Sequence, residues 1–394
     1  MDLLMLSVIA IVALALLFDF TNGFHDAANS VATVVATRAL PAKWAPAFSA
    51  FFNFAAYFVV GLAVANTVGK VVNSEYSGVA VIFAALIGAI TWNYVTWYVG
   101  MPSSSSHALI GGLIGGGLAA GWTDAIEWSS VEKVLMAIVA SPVVAFTVAF
   151  LAMFLVAGLQ KLTKWHDNHP AFKVGQLISA AAVSFGHGAN DAQKTVGVIA
   201  ALLLGTGVGG AAKDAEGNIT VAEWIPFAAY GAIAVGTLWG GWKIIETMGL
   251  KITTLHANSG VAANIGAVTA IFGATGYGIP ISTTHAAASS VAGGGVASGR
   301  GMNVRVFGEM VVAWIITIPA TASIAFFLYK MTQLPTAAAW LSVGSVLFVL
   351  FGWIAYAMTH SIGAEEVAAE IPPEEVLEEH IPAVPHLEGH GPVE

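Results

Sequence analysis

Two short runs of the chain carry polar groups whose spacing recurs. In FTNGFHDAANS, at 20–30, Asn22, Asp26 and Asn29 fall at i, i+4 and i+7, which places them on one face of a helix. In FGHGANDAQKT, at 185–195, Asn190 with Lys194 and Asp191 with Thr195 keep the four-residue spacing. Carboxylate and carboxamide oxygens side by side suit a hard cation such as Na⁺, so Asn22, Asp26, Asn29, Asn190 and Asp191 are the candidate sodium ligands. Two later runs, PSSSSHALIGGLIGGG from 102 and PISTTHAAASSVAGGG from 280, open on a proline and hydroxyls. Proline suits the first turn of a helix and Ser or Thr its cap. Helix N-termini carry unpaired N–H groups and a partial positive charge, and so bind anions without arginine. Two such tips facing each other, Ser104, Ser105 and Ser106 against Ser282, Thr283 and Thr284, make a cage for a small tetrahedral oxyanion.

Phosphate near neutral pH keeps a P–OH donor, whereas sulfate has only acceptors. A site with carboxylates nearby therefore favours phosphate, and Asp26 and Asp191 can act directly or through a bound cation. Lys194 offsets the anion's charge or neutralises Asp191 or Glu246. His107 and His285, directly after the hydroxyl runs, read as packing or hydrogen-bonding groups, with ligand or proton-carrier roles left open. Glu246, in WKIIETMG, reads equally as a gate residue and as an interfacial acid. Two enzymatic alternatives are weaker. A serine hydrolase on Ser106 would need one nucleophile and one oxyanion hole, not two matched sets, and His107 points about 100° away from Ser106 on a helix. A metal-dependent hydrolase would be built on His25, Asp26 and His187.

The elements that must position these groups follow from composition. Hydrophobic residues make up 57% of the 394 positions and charged residues 9%, too few charges to cover a water-soluble surface. All 14 Lys and Arg precede residue 331, and nine of the 23 acids are glutamates from Glu365 onward, so the body is formally neutral. The last segment, 361–394, with Pro372, Pro373, Pro382 and Pro385, reads as an acidic disordered tail; its His380, His386 and His390 read as solvated. There is no cysteine, hence no disulfide framework. The N-terminal run lacks a basic n-region and a cleavage site and reads as a retained membrane helix.

Apolar stretches long enough to cross about 30 Å of hydrocarbon lie near 3–37, 44–68, 131–158, 176–204, 224–248, 306–330 and 336–358. Two more, 79–121 and 257–299, are each broken by a proline and read as re-entrant hairpins. With the N-terminus outside, nine basic residues (Arg38, Lys43, Lys161, Lys164, Lys173, Lys243, Lys251, Arg300, Arg305) fall inside and four (Lys70, Lys133, Lys213, Lys330) outside, as the positive-inside rule asks. About 35 residues of unbroken helix would span about 52 Å, so the motif helices are expected to break near Asn22-Gly23 and Gly186–Gly188.

The chain also repeats. Phe20, Gly23, Asp26 and Ala27 recur as Phe185, Gly188, Asp191 and Ala192, an offset of 165, and the proline tips recur at an offset of 178. A third echo joins SPVVAF at 141 to IPATAS at 318. Three crossings separate the two starts, so the second copy enters from the opposite face, as in many secondary transporters. The expected fold is an all-α polytopic membrane protein with inverted-topology repeats, two re-entrant hairpins and broken transmembrane helices. Its parts are a first repeat at 1–160, a cytoplasmic connector at 161–175, a second repeat at 176–330, an extra helix at 331–360 and the tail.

NGFHDAANSVAT and HGANDAQKT, followed by the PSSSSH and PISTTH tips, resemble the two signatures of the PiT family of inorganic phosphate transporters. The resemblance implies import of phosphate by symport with sodium ions across the plasma (inner) membrane, with no further cofactor. It also implies phosphate on the two tips, with Gln193 and Lys194 beside them, and cations near Asn22, Asp26, Asn190 and Asp191. Gln193-Lys194 stands where the eukaryotic signature has Gln-Asn, so the chain is similar to the prokaryotic branch, some of whose members use protons or carry a metal phosphate complex. The implied partners are phosphate, sodium and lipid, and no nucleic acid. Oligomeric state is open, a homodimer included.

Overall fold

A backbone surrounded by hydrocarbon has to satisfy its N–H and C=O groups internally, so long apolar runs fold as helices. The computed structural model describes residues 2–371 and is dominated by them. The first half comprises α1 (Leu3–Asp26), α2 (Ala28–Ala36), α3 (Ala45–Ala55), α4 (Ala63–Val68), α5 (Val79–Val99), α6 (Ser105–Gly121) and α7 (Trp128–Thr163). The second comprises α8 (Pro170–Thr206), α9 (Trp224–Trp239), α10 (Trp242–Glu246), α11 (Ala257–Gly276), α12 (Thr283–Ala297) and α13 (Val304–Thr332). A small hairpin, β1 (Ala211–Lys213) with β2 (Ile219–Val221), follows α8, and α14 (Thr336–Thr359) and α15 (Ala364–Glu370) follow α13. Six helical segments among the described residues are long and apolar enough to cross a membrane.

The halves correspond element by element. Each opens on a long motif helix, α1–α2 or α8, and continues with an interrupted one, α3/α4 or α9/α10. Each then forms a helical hairpin, α5/α6 or α11/α12, and ends on a long helix with an internal proline, Pro142 in α7 and Pro319 in α13. The hairpins are exchanged between halves: α5 and α6 pack on α13, and α11 and α12 pack on α7. Glycine makes this close. A methyl group on Gly111 or Gly115 of α6 would collide with Thr321 or Ala322 of α13, and one on Gly293 of α12 with Phe146 of α7, the small-residue contact of membrane helices.

Three expectations change. The breaks fall elsewhere: α8 runs 37 residues through Gly186–Gly188 without interruption, and α1 meets α2 only at Ala27, which keeps helical dihedrals. The discontinuities lie in the second helix of each half, at 56–62 and at Gly240-Gly241. The motif glycines serve packing instead. A Cβ on Gly23 would strike the carbonyl of Ile233 in α9, and one on Gly188 the carbonyl of Asn53 in α3. The link between halves is shorter than 161–175, because α7 continues to Thr163 and Pro170 begins α8, with His169 capping Ala171 N–H at 3.2 Å. Part of the segment assigned to the tail is ordered: α15 buries Val367, and Arg38 donates to the carbonyl of Ile371 at 3.1 Å. His380, His386, His390 and the rest of 372–394 lie outside the described residues.

Lys70, Lys133 and Lys213 line one cavity of about 710 Å³ with Glu75, Asp124 and Glu127, and Lys330 donates to Ala119 O at 2.8 Å. Elsewhere Lys251 pairs with Glu246, and Arg300 pairs with Asp167 of the link between halves. Burial and Arg300 push the neighbouring His256 down to about 4, against the opposing pull of Asp167.

Candidate functional site

Both hairpin tips are built alike. Gly100, at φ +71°, ends α5 in the left-handed conformation that favours glycine. Ser104 then caps α6 by accepting His107 N–H at 3.2 Å, as Ser282 caps α12 by accepting His285 N–H at 3.1 Å. The first N–H groups of each helix, on Ser105 and Ser106 and on Thr283 and Thr284, have no intrahelical acceptor. The tips meet: Ser106 Oγ donates to Ile281 O at 3.0 Å, and the His107 and His285 rings stand edge to face with centroids 4.4 Å apart. His285 also stacks on Trp314 at 3.9 Å. Among the described residues no ring nitrogen of either histidine meets a partner in hydrogen-bond geometry, and the contacts they make are ring packing.

The motif helices hold the tips in a crossed pattern. Asp26 accepts from Ser105 at 3.1 Å, and Asp191 lies 3.5 Å from Thr283, each within its own half. Three residues on, each helix reaches the other half. Asn29 donates to Thr283 and Thr284 at 3.2 and 3.1 Å, and Lys194 contacts Ser106. Lys194 Nζ also lies 2.6 Å from Asp191 and 2.9 Å from Ile281 O. An ammonium thus sits between two helix N-termini and beside a carboxylate, all of it buried. Ligand atoms of Asp26, His187 and Asp191 lie within 4.8 Å of one another. Asn22 Nδ2 is 3.5 Å from Asp191, leaving its oxygen unpartnered like that of Asn29.

Of the residues expected at the site, Ser105, Ser106, Thr283, Thr284, Lys194, Asn22, Asp26, Asn29 and Asp191 converge. Three differ. Ser104 and Ser282 use their hydroxyl oxygens as caps, which leaves them a structural role at the tip. Gln193 turns away: its oxygen accepts Val64 and Ala65 N–H at 2.9 and 3.3 Å and so caps α4. Asn190 donates to Thr275 and Ile279 O and accepts from Ile281 N–H, bracing the turn of the second hairpin. Among the described residues Ser106 has no histidine partner of the hydrolase kind; its contacts are Lys194 and Ile281.

His25, weighed above only for a metal-dependent hydrolase, joins the site: its Nδ1 lies 2.6 Å from Asp26 and its Nε2 3.0 Å from Thr96, with Ser103 joined to Thr96 at 2.8 Å. Helical neighbours do not normally face each other, so adjacency to Asp26 concealed this contact. His187 accompanies Asp191 at 3.7 Å and meets Asn53 at 3.1 Å. Asp19 is buried in the same helix face and has no counterpart in the second motif.

Residues 22–325 match the phosphate transporter family model. The chain is 46% identical over 329 residues to the "Probable low-affinity inorganic phosphate transporter" of Rhizobium meliloti (strain 1021), covering 83% of this chain and 96% of that one. It is 39% identical to the protein of the same name in Bacillus subtilis (strain 168), covering 84% and 99%. A solved structure, "The sodium-dependent phosphate transporter", superposes with a TM-score of 0.72 at 25% identity, covering 83% of this chain and 99% of that one. The chain belongs to the phosphate transporter family, the PiT transporters.

Proposed function

We propose that this protein imports inorganic phosphate together with sodium ions by alternating access around the junction of the two hairpin tips. The observation that carries the reading is the crossed arrangement: two helix N-termini from opposite halves meet over Asp26, Asp191 and Lys194. Amide and hydroxyl donors of Ser105, Ser106, Thr283 and Thr284, with the Lys194 ammonium, suit a phosphate dianion. The aspartates accept from its P–OH or hold the accompanying cations, whose remaining ligands are the free oxygens of Asn22 and Asn29. Sodium is supported by the name of the superposed structure and by this oxygen set. The relatives' bacterial origin favours the plasma membrane.

The histidines favour a second reading, in which protons or a metal phosphate complex replace sodium. His25 pairs with Asp26 and His187 stands in the Asp26–Asp191 cluster; imidazole exchanges protons near neutral pH and ligates transition metals. Uptake of labelled phosphate by purified protein in liposomes, with Na⁺ and H⁺ gradients imposed separately, decides between them. A sodium gradient is expected to accelerate uptake several-fold. Equal uptake with and without it rejects sodium, and competition by sulfate rejects phosphate selectivity.

A further inference from the structure

Asp19 stands seven residues before Asp26, two turns along the same face of α1. It is fully buried, and among the described residues no group meets either carboxylate oxygen in hydrogen-bond geometry. Around it stand Asn22 on its own helix and Thr195 on α8, with the charged groups Asp191 and Lys194 farther along α8 and Tyr230 facing from α9. The oxygens of Asn22 and Thr195 and the hydroxyl of Tyr230 are likewise buried and unpartnered. Lys194 is committed to Asp191, Ser106 and Ile281 O, so no basic side chain is hydrogen-bonded to Asp19. A carboxylate in that position is strongly disfavoured unless something positive joins it. The aligned residue of the second half, 165 positions on, is Ser184, whose hydroxyl is satisfied by Ala180 O at 2.9 Å. Among the described residues, position 19 therefore carries an unmet demand for positive charge that position 184 does not. The donor set is entirely oxygen, which selects a hard cation over a transition metal.

We propose that Asp19 and Thr195 hold a sodium ion at a site beside the Asp26–Asp191 centre, with the Asn22 oxygen placed between the two. The proposal rests on the sodium-coupled reading above. Its position on the motif helix, bridged to Asp191 by Asn22, lets occupancy there bias the arrangement of the phosphate-facing groups.

Paired uptake of labelled sodium and labelled phosphate into liposomes tests it. Asp19→Asn is expected to lower the sodium-to-phosphate ratio by one ion and to flatten the sodium activation curve, and Asp19→Glu to restore part of the ratio. Thr195→Val is expected to raise the half-activating sodium concentration about tenfold. An unchanged ratio and activation curve in Asp19→Asn overturns the site. Labelling of Asp19 in the unmodified protein by a hydrophobic carbodiimide, read by mass spectrometry, works even if the variant does not fold. Protection by Na⁺ but not by choline is expected. Sodium that drives uptake without protecting Asp19 overturns the site and leaves the coupling reading standing. Sodium that protects Asp19 without driving uptake does the reverse.

Discussion

The two motif helices share a design and differ in charge. Aligned by the 165-residue offset, α1 offers Asp19, Asn22, His25, Asp26 and Asn29 where α8 offers Ser184, His187, Asn190, Asp191 and Lys194. The first set holds two acids and no lysine or arginine; the second holds one acid and one lysine. In the second half a fixed positive charge, the Lys194 ammonium, stands 2.6 Å from Asp191. Asn and His have also changed places, so that His25 touches its aspartate directly at 2.6 Å while His187 stands off at 3.7 Å. The matching scaffolds therefore carry unequal charge.

That division can be broken most severely at Lys194. Lys194→Met leaves Asp191 buried and unpaired, which costs about 3–5 kcal/mol. Thermal denaturation in detergent should show a large fall in Tm, and phosphate uptake should vanish. Adding Asp191→Asn should recover much of the Tm without recovering uptake; a single variant as stable as the parent would show that the attached cation is dispensable. Next come the packing glycines. Gly23→Ala and Gly188→Ala each force a methyl group onto a backbone carbonyl of the adjoining helix, with a penalty of about 1–3 kcal/mol. Similar losses in both would mark the scaffold as symmetric even where the charges are not.

Smaller effects sharpen the comparison at the tips. Ser105→Ala removes a 3.1 Å bond to Asp26 and Thr283→Val a 3.5 Å contact with Asp191. The former should weaken apparent phosphate affinity by about tenfold, and the latter by less, as measured by the concentration dependence of uptake. The smallest effect lies outside the spans. His256 is held neutral to about pH 4 in the folded protein, against about 6.5 when unfolded. A depressed folded value means that the folded state binds fewer protons. Its contribution is complete above pH 6.5 and is lost as pH falls toward 4. His256→Gln should flatten that limb of the Tm profile by a few degrees.

Much of this plan was legible in the sequence because proline, hydroxyl and aspartate stand at matched positions, and matched positions survive folding as matched contacts. The hairpin tips and the Asp26–Asp191 pair followed from that alone. The location of the helix breaks did not. Gly186 and Gly188 look like breakers, yet glycine also admits a neighbouring backbone, and only the partner's position distinguishes the two uses. Side-chain direction was equally hidden: Gln193 and Lys194 are adjacent, but one caps α4 and the other reaches the tips. Asp19 escaped notice because it sits in an otherwise apolar run and its counterpart is a serine. The short α15 was masked by the acidic composition around it, although AEEVAAE is a good helix former and Val367 gives it a face to bury.

The exchange of hairpins carries a consequence for ancestry and assembly. Because α5 and α6 find their packing surface on α13, and α11 and α12 find theirs on α7, neither half can fold to completion by itself. A single-unit ancestor would have needed an antiparallel twin in the bilayer, each lending the other its long proline-containing helix. Fusion through a short link such as the one before Pro170 would make that pairing permanent. The two halves, produced as separate chains in one cell, should still find each other, whereas either produced alone should be cleared as an unfinished protein.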